Sequence, residues 1–321
     1  MNALERRIQQ IEKGIDLLIK NNADIKSIVS IGSYATNTID KFSDIDLYIF
    51  TTKPQRYLNK NNISWLSPIG DVMSRRIFKD FKEGVDKNKL IVENGLMYDL
   101  TIVSVKRFKI IKYFLKFSRT GFAWILPKFL KRVIESNILR FVQTVRRGYK
   151  IHSDNIDLNL TVEGAIKFAN NYKGAIIGVD SFLSHYNTFW QSCYTASIKL
   201  IRKEFYHTIL VYDHQMKHEL LWIIERGELI NNNTTDVFYN GFNIHKWGKN
   251  IQGELYDTLF HTNIIQMQQS LLKSIELYQH FSLIVAEKYN FPLNKDFEKF
   301  VINFIKNVAI PENEKNEPVY S

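Results

Sequence analysis

Near the amino terminus Leu4, Ile8, Ile11, Ile15 and Leu18 recur at helical spacing, which predicts an amphipathic helix over 3–20. The period then changes. IKSIVSIG, residues 25–32, is a short apolar run that stops at Gly32-Ser33, and it reads as a buried strand closed by a turn. DIDLYIF, 44–50, alternates strictly: Ile45, Leu47 and Ile49 share one face, Asp44, Asp46 and Tyr48 the other. KLIVENG and LMYDLTIVSV, 89–105, predict two further strands around Asn94-Gly95, a strong hairpin dipeptide. Residues 53–87 keep no period for long and are read as loop with short elements.

Beyond residue 105 the spacing is helical. KRFKIIKYFLKF and LPKFLKRVIESNILRFVQTVRRG predict two helices, broken near Thr120-Gly121 and Pro127. The polar stretch GYKIHSDNIDLNLT is taken as a boundary, with a domain junction near 150–160. Between Gly178 and Gly227 neither glycine nor proline occurs, so one long helix or two joined helices are expected. A Gly/Asn-rich loop over 227–253 and further helices to about Val308 complete the pattern. The tail, 309–321, lacks the apolar residues to fold and is expected to be disordered. The fold class is therefore α+β: a mixed β-sheet flanked by helices over 1–155, then an all-α domain over 156–308.

Composition and charge change this picture in four places. With 321 residues and 45% hydrophobic content the chain can bury two cores. Its one cysteine, Cys193, excludes a disulfide framework and a cysteine metal site, and suits a reducing compartment. With no signal core and no apolar run long enough for a membrane span, a soluble cytoplasmic protein is expected. The net charge of +10 is local: residues 106–150 hold 13 Lys and Arg against one acid, Glu135, and the remainder is close to neutral.

The chemistry lies in the two aspartates of the alternating strand. A period of two places Asp44 and Asp46 side by side, where they repel unless a cation sits between them. All-oxygen acidic sites suit Mg²⁺, with substrate phosphate completing its shell. Gly32 permits a tight turn, and Ser33 offers a hydroxyl and an N–H to phosphate oxygens; Ser43, ten residues on, is added as a nucleotide contact. Asp99, with Thr101 on the same strand face, supplies the third carboxylate of a two-ion site. The assembled expectation is a nucleoside triphosphate bridged by metal to Asp44, Asp46 and Asp99, with in-line attack of a hydroxyl on the α-phosphorus.

Gly-Ser followed by Ser-Asp-Ile-Asp-Leu resembles the nucleotidyltransferase superfamily that includes DNA polymerase β. TFWQSCYTASIKLIRKEFYHTILVYDHQMKHELLWIIERG, with Phe189-Trp190, Arg202-Lys203-Glu204 and His218-Glu219-Leu220-Leu221, is similar to the second-domain helix of aminoglycoside (streptomycin) 6-adenylyltransferases. Leu66 to Gly70, the YDLT strand and Trp247-Gly248-Lys249-Asn250 fall in the same register, so the resemblance spans about 25–105 and 185–305. It implies Mg²⁺-dependent transfer of AMP from ATP to a hydroxyl of a small acceptor, in a cleft between the domains. It also implies Gly32, Ser33, Asp44, Asp46 and Asp99 as the catalytic and nucleotide positions, and Lys203, Glu204, His218 and Glu219 as candidates to line the acceptor site. Where the family usually has Arg after Gly-Ser, this chain has Tyr34.

The basic stretch, in part an insertion relative to that family, fits a packed hairpin with a basic outer face, or a surface for anionic lipid or RNA. Three acceptor classes follow as expectations: an aminoglycoside, another antibiotic such as a lincosamide, or a macromolecule docked through 106–150. A catalytically silent protein binding nucleotide or nucleic acid is the alternative outside enzymes. Asp213, His214 and His218 have metal-like spacing but no H-E-x-x-H pattern, and are read as structural.

Overall fold

The computed structural model describes residues 3–82, 85–119, 126–172, 177–231, 241, 243–259 and 264–307. The chain divides into two compact units, Met1–Gly174 and Ala175–Ser321.

In the first unit one helix precedes the sheet, α1 (Ala3–Asn21), and the strands are β1 (Ile25–Ile31), β2 (Ile45–Thr51), β3 (Val72–Lys82), β4 (Val85–Val92), β5 (Met97–Ser104) and β6 (Tyr149–Asp154). A short helix, α2 (Pro54–Leu58), and a 3₁₀ turn (Ser64–Ile69) link β2 to β3. Helices α3 (Val105–Arg119) and α4 (Lys128–Val145) precede β6, and α5 (Leu158–Asn170) follows it. The strand order is β3-β4-β5-β2-β1-β6, with β2 and β5 parallel and every other neighbouring pair antiparallel.

The alternation of β2 sorts the two faces. Ile45, Leu47 and Ile49 pack with Ile11, Ile15 and Leu18 of α1, so the amino-terminal helix covers one side as its spacing predicts. On the other side Val29 and Phe50 meet Phe108 of α3, Val145 of α4, and Leu158 and Val162 of α5. Full burial of each such side chain stabilises by about 1.5–3 kcal/mol. This second apolar layer stops short of Asp46 and Asp99, which share that face.

Three expectations require correction. Residues 72–82, read as part of an irregular region, form β3 at the sheet edge; its many charged residues obscure any alternation, as edge strands tolerate. GYKIHSDNIDLNLT is no linker. It pairs as β6 with β1, Ser27 Oγ donating to the Ser153 carbonyl at 2.6 Å. Asp154 then accepts the backbone N–H groups of Ile156, Leu158 and Asn159 to start α5. Because α5 completes the layer over the sheet, the junction lies after residue 172 and not near 155.

The second unit contains α6 (Val179–Ile201), α7 (Phe205–Val211), a π turn (Tyr212–Met216), α8 (Lys217–Asn231), α9 (Ile244–Trp247), α10 (Gln252–Tyr256), α11 (Ile264–Tyr289) and α12 (Lys295–Asn307). Phe189, Trp190, Cys193, Ile223, Tyr278 and Phe281 are buried at its centre, and Phe189 stacks on Tyr278 with centroids 3.6 Å apart. The glycine-free stretch is thus several helices. The first ends in a Schellman motif in which Lys203, at φ +59°, takes the position glycine usually fills. Lys203 N–H donates to the Leu200 carbonyl at 3.0 Å and Glu204 N–H to that of Lys199 at 2.9 Å. The tail beyond residue 307, and the expectation of disorder there, lie outside the described residues.

Candidate active site

β1 ends at Ile31 and the chain turns at Gly32, whose φ of +73° is strained for any residue with a side chain. Thr36 closes the turn, its N–H and hydroxyl each donating to the Gly32 carbonyl at 3.1 Å, and Thr38 N–H donates to the Ser33 carbonyl at 2.9 Å. A Cβ at position 32 would stand 3.3 Å from Asp46 Oδ2. Glycine therefore serves twice, by permitting the turn and by letting the backbone approach the carboxylate.

The loop returns through Asp40 and Ser43, whose hydroxyl donates to Asp40 Oδ1 at 2.8 Å and accepts from Asp40 N–H at 3.0 Å. Arg7 of α1 donates to the carbonyls of Lys41 and, at 2.8 Å, Ser43. Ser43, expected as a nucleotide contact, thus has its hydroxyl in a turn that sets the entry of β2. Asp44 follows at once. The parallel register sets Asp46 beside Asp99, and one ligand oxygen each from Asp44, Asp46 and Asp99 lie within 4.8 Å of one another.

Such proximity has an electrostatic cost. Burial first, then the charges of Asp44 and Asp99, push the Asp46 carboxyl up to about 6, against the opposite influence of Lys87 and Lys89. Asp99 is 6% exposed, and among the described residues its Oδ1 has no hydrogen-bond partner. An all-oxygen donor set with an unsatisfied, buried carboxylate oxygen suits a hard divalent cation. The residues present fit such an ion.

Two lysines complete the cluster, and the reading of the sequence passed over both. Lys87 Nζ is ion-paired to Asp99 Oδ2, and Lys89 Nζ lies 3.8 Å from Asp99 Oδ1. Counting outward from a two-residue Asn94-Gly95 loop would set Leu90 opposite Asp99. The loop instead takes three residues, Glu93 to Gly95, with Val92 N–H donating to the Leu96 carbonyl at 3.0 Å, so that Ile91 pairs with Met97, Leu90 with Tyr98 and Lys89 with Asp99. Tyr34, by contrast, is turned away into the α1 side of the sheet, 3% exposed and stacked on His152 at 6.0 Å. The residue replacing the family's arginine is a core side chain.

The four acceptor candidates all belong to the second unit, which does not bring them to one place. Lys203 and Glu204 form the stop of α6, and Glu204 Oε2 bonds Lys199 Nζ at 2.7 Å across it. Glu219 is 6% exposed and pairs with His185 Nδ1 at 2.5 Å. His185 and Lys199 are fourteen positions apart on α6, about 21 Å of helix. His218, half-buried on α8, points about 100° away from its neighbour Glu219. His185, unmarked in sequence, stacks on Trp222 with centroids 3.9 Å apart, so Glu219, His185 and Trp222 form one local group. Cys193 is buried, a free thiol pushed up by burial, as a core residue would be.

Residues 11–121 match the nucleotidyltransferase domain model, and residues 178–308 match the streptomycin adenylyltransferase model. Among solved structures, an aminoglycoside 6-adenyltransferase from Bacillus subtilis aligns with 93% of this chain and 97% of its own, at 16% identity and a TM-score of 0.40. A nucleotidyltransferase-like protein from Exiguobacterium sibiricum aligns with 88% of this chain and 78% of its own, at 12% identity and a TM-score of 0.38. No curated protein sequence matches significantly. Residues 11–121 are thus a nucleotidyltransferase domain and residues 178–308 a streptomycin adenylyltransferase domain, and the chain that carries them is an enzyme of nucleotidyltransferase type.

Proposed function

We propose that the protein transfers AMP from ATP to a hydroxyl of an aminoglycoside such as streptomycin, with Mg²⁺ held at Asp44 and Asp46 beside Asp99. The observation that carries this reading is the convergence of three carboxylates at a Gly-Ser turn, in a chain whose later half matches the streptomycin adenylyltransferase family. When bound, the metal neutralises triphosphate charge and stabilises the pyrophosphate leaving group. Gly32 and Ser33 present backbone N–H groups, and Ser33 its hydroxyl, to phosphate oxygens. Asp99, buried on the adjoining strand, orients the acceptor hydroxyl and takes its proton.

For the acceptor we put forward Glu219 with His185 and Trp222, an anion and two aromatic rings suited to a cationic, hydroxylated ligand. Lys203 and Glu204 are left to the helix stop. The free buried thiol fits a cytoplasmic setting; among the described residues no helix is long and apolar enough to cross a membrane.

Mass spectrometry tests the reading. The protein, ATP and Mg²⁺ are incubated with streptomycin, other aminoglycosides, a lincosamide and RNA. An AMP adduct on streptomycin is expected, and an adduct confined to RNA would replace the reading with a macromolecular one. That second reading draws on exposed Lys106, Arg107, Lys109 and Lys116 along α3.

A further inference from the structure

The three carboxylates are not equivalent. Asp44 and Asp46 come from the turn and the start of β2, whereas Asp99 faces β4 across the antiparallel pairing, with Lys89 directly opposite and Lys87 opposite Thr101. Lys87, diagonal to Asp99 and 14% exposed along its side chain, is the one whose ammonium bonds the carboxylate. Lys89, 44% exposed, stays at 3.8 Å. Three carboxylates facing two ammonium groups leave about one net negative charge, which a single divalent ion already overcomes. A second such ion at Asp99 would have to displace an ion pair that is largely out of water, where separation of the partners is costly.

We propose that Lys87 is a resident cation at Asp99, so that the cluster holds one divalent ion, on Asp44 and Asp46, where three free carboxylates would hold two. The inference rests on the metal reading of the site and specifies its stoichiometry. Lys87 acts as a positioning residue: it holds Asp99 Oδ2 and leaves Oδ1 with no hydrogen-bond partner among the described residues. A charge fixed to the chain takes the place of one that would otherwise be drawn from solution.

The experiment is a Mn²⁺ titration of the full chain, with free ion counted by electron paramagnetic resonance, on wild type, Lys87→Arg and Lys87→Gln. Wild type and Lys87→Arg are expected to saturate with one Mn²⁺, and Lys87→Gln to take up a second ion at least about tenfold more tightly than either. Two ions of equal affinity on wild type and Lys87→Gln would overturn the proposal while leaving the metal reading intact. No uptake by any of the three would overturn both. The wild-type count decides by itself if Lys87→Gln does not fold.

Discussion

At the scale of single residues the protein places three acids where apolar side chains would serve stability better. Asp46 makes the conflict measurable. Its folded carboxyl titrates near 6 against an ordinary 3.8, so its ionisation opposes folding. The stabilising contribution of the protonated form is fully present below about 3.8 and is lost as pH rises through about 6. Without divalent metal, Asp46→Asn should therefore raise stability at pH 7.5 by about 1–3 kcal/mol, measured by urea unfolding, and flatten the slope across that window. The same variant should lose on the order of 10²–10³-fold or more in pyrophosphate release. Stability that falls on substitution would show that other contacts compensate the charged carboxylate and contradict the cost assigned to it. Gly32→Ala, which puts a methyl group at φ +73° and 3.3 Å from Asp46 Oδ2, should cost about 1–2 kcal/mol and lower turnover; unchanged turnover would mean that the turn has no part in the site. Asp44 and Asp46 were legible because a period of two sets them on one face, whereas the pairing of Asp46 with Asp99 depends on the parallel register of β2 and β5. The turn role of Ser43 was not legible, because its spacing from Ser33 says nothing of the Asp40 turn that engages its hydroxyl.

At the scale of elements, what was legible followed from periodicity and what was missed followed from partners. α1, β1, β2, β4 and β5 carry clean patterns because each has a face that packs on a defined core. β3 and β6 are edge strands with polar and charged side chains, and only their pairing makes them strands. The break between α6 and α7 eluded sequence because a lysine occupies a left-handed position normally marked by glycine. Lys203→Gly should accordingly leave stability unchanged or raise it by about 1 kcal/mol, and leave KM for the acceptor unchanged. A several-fold rise in KM would restore Lys203 to the acceptor site. The packing of α8 on α11 gives the opposite case. A Cβ at Gly227 would lie 2.3 Å from Phe281 Cδ1, and Gly227→Ala should destabilise by about 1–3 kcal/mol in thermal unfolding, with no gain from improved helix propensity.

At the scale of the whole molecule, charge and chemistry are separated along the chain. The +12 of residues 106–150 resides on and around α3 and α4, and the carboxylate cluster lies on β2 and β5 with its own lysines. If the acceptor is a small cation, raising salt from about 50 mM to about 200 mM should change kcat/KM less than about threefold, since no extended polyanion is docked. A fall of about 10³-fold or more would instead mark a nucleic acid as substrate. Release of pyrophosphate from ATP and Mg²⁺, compared between wild type and Asp46→Asn with streptomycin present and absent, tests the central claim most directly. Release that requires streptomycin and vanishes in Asp46→Asn is the predicted result. Streptomycin-dependent release that persists in Asp46→Asn would contradict the assignment of the carboxylates, and the absence of release with streptomycin would contradict the proposed acceptor.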